Sequence, residues 1–208
     1  MPEQRRAVGK ETLVKPFRLA SLLIPAAVFF LLLPARAGGQ AQPTCTAGKT
    51  GKAAAITGKE AWDLASARAR AWQADAAPFE FTNTSSGPLD AEGRSTDWSV
   101  SFSSAKGSAV NMVSITDGEI RCFSIPAEGG RVLKFVDQVT FDTRMLYYAA
   151  QKAGGDKVQG ARIMAGLDQG TSGVPEWHLN YANAQGKEVL SVVFDARTGK
   201  VSNVFHSK

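Results

Sequence analysis

Histidine and cysteine are scarce in this chain, with two of each among 208 residues. A zinc centre takes three or four nitrogen, sulfur or carboxylate ligands. Here the only candidate ligands are His178 and His206, on predicted strands that could lie near each other, and Asp195 in a nearby turn. They are read as rim or solvent-facing side chains, and no metal or cofactor is expected. Nucleophilic catalysis needs a nucleophile with a base in reach, and neither imidazole sits in a recognisable motif. Ser103 and Lys106 match S-x-x-K, but the accompanying motifs of that enzyme class are absent and the match falls in a Ser-rich turn. No carboxylate pair stands apart from the other acids as a glycosidase site would require. AGKTGK, residues 47–52, resembles a phosphate loop but has Pro43 where that motif needs its first glycine. These absences exclude the common catalytic classes, and no enzyme activity is expected.

Long apolar runs are also missing. The longest, LASLLIPAAVFFLLLP (residues 19–34), has 16 residues and contains Pro25, short of the roughly 20 that span a bilayer. Arg5, Arg6, Lys10, Lys15 and Arg18 precede it and ARAGG follows, which is the order of a secretory signal peptide. Cleavage is expected after Ala37 or Ala41, so residues 1–41 are a targeting segment and contact a membrane only if it stays uncleaved. That segment holds six of the 24 basic and two of the 19 acidic residues; the remaining 18 and 17 leave a charge of +1. The net charge of +5 therefore belongs to the targeting segment and gives no argument for nucleic acid. Export, periplasmic or extracellular, places Cys45 and Cys122 where thiols oxidise, and one structural disulfide between them is expected.

Residues 42–56 are rich in Thr, Ala, Gly and Lys and read as a flexible lead-in. Structure is expected from Thr57, which with Glu60 makes a capping box. Trp62, Ala65, Ala69 and Trp72 follow at helical spacing, and Pro78 ends the segment. PFEFTNTSS, TDWSVSFSS and AVNMVSITDGEIRCFSI then alternate as strands divided by turn residues. After a connection over residues 126–139 the order restarts. FDTRMLYYAAQKAG predicts a helix with Phe141, Met145 and Tyr148 sharing its apolar face, Asp142 at its start and Gly154 at its end. QGARIMAGLD, VPEWHLNYAN and KEVLSVVFDARTGKVSNVF supply strands again. Trp98 and Trp177 open equivalent strands, and the turn residues Asp117 and Asp195 lie 19 and 18 positions later. The fold class is therefore α+β, with two tandem units at residues 57–125 and 140–208, each a helix followed by about four antiparallel strands. The two sheets lie side by side or pack face to face.

A helix followed by strands and ending in LSVVFDARTGKVSNVF resembles the PepSY domain, whose last hairpin commonly carries an Asp, Thr, Gly turn. The resemblance covers residues 141–206 and, more loosely, 57–125, where the turn has shortened to TDGEI. It implies an exported or membrane-attached module associated with holding peptidases in check. The tandem helix-and-sheet layout also resembles beta-lactamase inhibitory protein in architecture, where a sheet face grips an enzyme.

The four tryptophans lie on the faces their elements bury and are read as packing. If Trp98 and Trp177 face the helices, then Ser99, Ser101, His178 and Asn180 face the other way, beside VLSVVF, which is apolar on both faces and includes Val193. That second face calls for a cover: the other sheet, the N-terminal tail, a second copy or a partner. The functional expectation is a non-catalytic binding module that holds an envelope protein, with a peptidase implied by the resemblance, through Ser99, Ser101, His178, Asn180 and Val193. The alternative is a carrier holding a small apolar ligand between helices and sheet.

Overall fold

Thr57 starts the first helix as its sequence predicts. Its hydroxyl accepts from the Glu60 amide at 3.4 Å and the Glu60 carboxylate accepts from the Thr57 amide at 3.0 Å, so two of the donors orphaned at a helix start are satisfied reciprocally. The computed structural model describes residues 45–84, 86–105, 109–126, 140–170 and 173–207, all within one unit, Gln40–Lys208. The predicted signal segment, residues 127–139 of the connection and Lys106 lie outside the described residues.

Along the chain come β1 (Gly48–Lys49), β2 (Ile56–Thr57), α1 (Gly58–Trp72), β3 (Ala77–Asn83), β4 (Arg94–Ser95), β5 (Asp97–Ser103), β6 (Ala109–Thr116) and β7 (Glu119–Pro126). After the connection come α2 (Thr143–Lys152), a 3-10 turn at Gly155–Lys157, β8 (Arg162–Gln169), β9 (Pro175–Ala182), β10 (Glu188–Asp195) and β11 (Val201–His206). One antiparallel sheet of nine strands runs β1-β7-β6-β5-β3-β8-β9-β10-β11, and β2 pairs with β4 in a small second sheet.

The strands that follow α1 and those that follow α2 thus lie side by side and join at β3 and β8. Of the two arrangements expected, side by side or face to face, this edge-to-edge join is the first, so neither half of the sheet covers the other's open face. The seam is short: Phe81 pairs with Leu167 and Thr82 with Gly166. Side chains lengthen it, because the Asn83 carboxamide oxygen accepts from the Ala165 amide and the Thr82 hydroxyl donates to the Ala165 carbonyl at 3.1 Å. Beyond them the Leu89 amide donates to the Ile163 carbonyl at 2.8 Å.

α1 packs on β5 and β6, α2 on β9, and the helices touch each other. The core between them and the sheet centres on Phe81, whose ring lies 5.7 Å from Trp62, 5.1 Å from Trp98 and 5.3 Å from Trp177. Burial of one such side chain stabilises by roughly 1.5–3 kcal/mol. The predicted face of α1 is the buried one.

In α2 the predicted face is wrong. Met145 and Tyr148 are exposed, while Thr143, Leu146 and Ala150 are buried. The helix is turned by the Thr143 hydroxyl, which accepts from the Gly58 amide and donates to the Gly93 carbonyl and so fixes a polar residue on the inner side. Gly154, with φ of 122°, ends the helix as expected.

The expected disulfide joins Cys45 to Cys122 across 77 residues. The lead-in it tethers is more ordered than its composition predicts. Gly48 and Lys49 pair with Ile120 and Glu119, and the Thr50 amide donates to the Gly118 carbonyl at 2.9 Å. Backbone groups along the outer side of β7 need partners, and this tethered segment supplies them at the start of the strand, from Gly118 to Ile120.

Candidate binding face

Alternation along each strand divides the sheet into a face under the helices and an open one. Trp98, Val100 and Phe102 of β5 point inward and Ser99 and Ser101 outward; in β9, Trp177, Leu179 and Tyr181 point inward and His178 and Asn180 outward. Register then aligns residues across strands. One row runs Ser99, Thr82, Gly166, His178, Val193 and Asn203 over six neighbouring strands. Ser101, opposite Met112 and Glu80, lies in the row on one side; Asn180, opposite Met164 and Ser191, lies in the row on the other. The five residues expected to form a binding band therefore share the open face but span three rows.

Their availability differs. Ser101 donates to Glu80 at 3.4 Å, and Asn180 accepts from the Ser191 hydroxyl at 2.7 Å. Val193 faces the open side yet is only 2% exposed, and Ser101 is 7% exposed. His178 keeps a partly exposed side chain.

Around His178 the face is hollowed into a groove of about 400 Å³, lined by Asp168, Gln169, Gly170, Glu176, His178, Val193, Asn203 and Phe205. His178 Nε2 lies 3.4 Å from Asp168 Oδ1 and 3.9 Å from Glu176 Oε2 without making a hydrogen bond. One wall is thus acidic and the other apolar, lined by Val193 and the exposed ring of Phe205. Such a groove suits a partner side chain with an apolar stem and a cationic or amide head.

Asp168, Glu176, Asn203 and Phe205 escaped the sequence reading. Glu176 alone was within reach of it, two residues from His178 on the same face. The others arrive from β8 and β11 through strand register, which no local pattern encodes.

His206 does not join this site. It pairs with Leu190 on the helix side of the sheet, so the two histidines lie on opposite faces. Among the described residues, no group of three or more His, Cys, Asp or Glu is placed to hold a metal ion. The phosphate-loop-like stretch borders a shallow depression of about 250 Å³ whose wall it shares with Asp117 and Glu119, and the Lys52 amine is held by Glu60 at 2.6 Å. Tyr181, buried under α2, has its phenol pushed far above its ordinary range by desolvation.

No protein-family model matches the chain, and no curated protein matches it in sequence. Among solved structures, a candidate lipoprotein (CD1622) from Clostridium difficile 630 shares the fold, with a TM-score of 0.50 at 11% identity over 71% of this chain and 91% of that one.

Proposed function

We propose that this chain is an exported, non-catalytic binding module that holds another envelope protein on the open face of its sheet. The observation that carries the reading is the groove around His178, which has an acidic wall and an apolar wall on the face opposite the helices. The Cys45–Cys122 disulfide fits an oxidising compartment. A duplicated PepSY-like unit accounts for a helix followed by four strands of the nine-stranded sheet occurring twice, β3, β5, β6 and β7 after α1 and β8 to β11 after α2, and for Trp98 and Trp177 flanking the same ring of Phe81. The peptidase class of partner rests on the resemblance of the DARTGK hairpin alone. The carrier alternative is less well supported, because Trp62, Phe81, Trp98 and Trp177 fill the middle of the layer where an apolar ligand would lie.

The test is capture from envelope extract of the source organism on the immobilised chain, beside a His178→Arg variant with the same melting temperature. A saturable partner held by the parent and released by the variant is the expected result. Equal retention by both would remove the groove from the reading, and a peptidase among the specific partners would select the inhibitory form of it.

A further inference from the structure

The two edges of the nine-stranded sheet are finished differently. At the start of β7 the disulfide-tethered segment pairs through β1 with Glu119 and Ile120 and through the Thr50 amide with the Gly118 carbonyl, and the strand ends on Pro126. At β11 no strand follows on the outer side among the described residues. The Ser207 amide donates inward to the Val189 carbonyl at 3.2 Å. In an antiparallel ladder the direction of backbone groups alternates. Residues 203 and 205 therefore bond toward β10, and Ser202, Val204 and His206 aim their amides and carbonyls outward.

Exposed edges are usually blunted by lysine, proline or inward-pointing charge. From Val201 to His206 there is none of these, and the register shift between Val193 and Phe194 lies opposite the strand's first residues. The whole strand is exposed, with Val204 at 38% and Phe205 at 55%.

We propose that β11 is a self-association edge, on which a second copy of this chain lays its own β11 antiparallel about a twofold axis through Val204. The strand is its own complement in that register. Val204 meets Val204 of the second copy on the helix side, with Ser202 opposite His206 of that copy. On the open side, Asn203 lies opposite Phe205 of the second copy, twice by symmetry. Every pair with outward backbone groups is then hydrogen-bonded, and no charged side chain lies within Val201–His206; Lys200 and Lys208, which this register sets opposite each other, lie beyond the strand's ends. A twofold contact of this kind closes on itself, so a dimer forms rather than a fibre.

Sedimentation velocity at tens of micromolar chain is the test. The wild type is expected at twice the chain mass and Val204→Lys at the chain mass, with an unchanged melting temperature because Val204 is an exposed edge residue. Val204→Cys is expected to give a reducible cross-linked dimer in oxidising buffer, while Phe123→Cys on β7 does not. A wild type that sediments at the chain mass overturns the proposal. So does a dimer that survives Val204→Lys while Val204→Cys fails to cross-link. A monomer whose β11 amides gain exchange protection only when another protein is added would assign the edge to a foreign strand, and likewise overturn it. None of these readouts depends on the groove at His178, so either proposal can fail alone.

Discussion

The amide of Gly58 donates to the hydroxyl of Thr143, 85 residues further along the chain, at 2.8 Å. That hydroxyl in turn donates a hydrogen bond to the Gly93 carbonyl at 2.7 Å, so one fully buried side chain ties the start of α1, the loop before β4 and the start of α2. Neither glycine tolerates a side chain. A Cβ on Gly58 would come within 2.6 Å of the Thr143 methyl, and one on Gly93 within 2.7 Å of the Arg144 backbone.

Thr143→Val keeps the shape and removes both bonds, which leaves a buried amide and a buried carbonyl unpaired. Each such group costs about 1–3 kcal/mol, so the variant is expected to lose about 2–4 kcal/mol in urea unfolding. Thr143→Ser, which keeps the hydroxyl, should recover most of the loss. Equal stability of the Val and wild-type proteins would contradict the bridging role.

Asn83 makes the analogous contribution at the seam between β3 and β8. Its oxygen accepts from the Ala165 amide and its nitrogen donates to the Gly87 carbonyl at 2.6 Å, where direct strand pairing amounts to only two residue pairs. Asn83→Ala is expected to cost about 2 kcal/mol and, more tellingly, to speed hydrogen exchange at Ala165 well beyond exchange at β5 and β6. A uniform acceleration across the sheet would mean that the seam does not open locally.

Most of these elements were legible in the sequence, and their assembly was not. The capping box at Thr57 and Glu60, the Trp62 to Trp72 stripe and the alternation in DWSVSFS and EWHLNY are local patterns, and local patterns fix helices, strands and the inward face of each. The inner side of α2 misled because Met145 and Tyr148 are larger and more apolar than Thr143, whose burial is decided by a bond to a residue 85 positions away. The join of β3 to β8 and the gathering of Asp168, Glu176, Asn203 and Phe205 around His178 depend on register between strands distant in sequence. Periodicity says which face a side chain takes and nothing about its cross-strand neighbour.

The disulfide closes a long loop, since Cys45 and Cys122 are 77 residues apart. Chain-entropy reasoning gives about 4 kcal/mol for a loop of that length, with measured values commonly 2–4. Reduction, or Cys122→Ser, is expected to lower stability within that range. It should also free β1 from β7, seen as fast exchange at Lys49 and Thr50. Unfolding in guanidinium with and without a reductant that leaves the rest of the protein intact makes the comparison.

Acid should weaken two turns. The Asp195 carboxylate accepts from the amides of Arg197 at 2.8 Å and Thr198 at 3.0 Å, and these bonds hold its pKa below the ordinary value. Glu60 is lowered first by its bond from Lys52, against the opposing effect of desolvation, and further by the Thr57 amide. A carboxylate with a depressed folded-state pKa stabilises above its unfolded value, near 4, and that contribution is lost as pH falls through the folded value. The gap in melting temperature between wild type and Asp195→Ala is therefore expected to be full at neutral pH and to narrow below about pH 4. A gap that stays constant down to strongly acidic pH would show that the turn is held by something other than the ionised carboxylate.

The open face supplies its own control for where a partner sits. Asp168, with a side chain 60% exposed and 3.4 Å from His178 Nε2, lies at the groove. Phe123, 44% exposed, lies on the same face at the far side of the sheet, opposite Met112. Val193 is a poor probe despite lining the groove, because at 2% exposure an arginine there would bring an unpaired charge into a packed site. Asp168→Lys reverses the charge of the acidic wall without entering the core. It is expected to weaken a captured partner at least tenfold, and more at low salt than at high, since exposed charges are screened as ionic strength rises. Phe123→Ala should leave that affinity unchanged. Titration of the purified partner by calorimetry at two salt concentrations reads both effects, and a loss confined to Phe123→Ala would move the contact from the His178 groove to the β6–β7 side of the sheet.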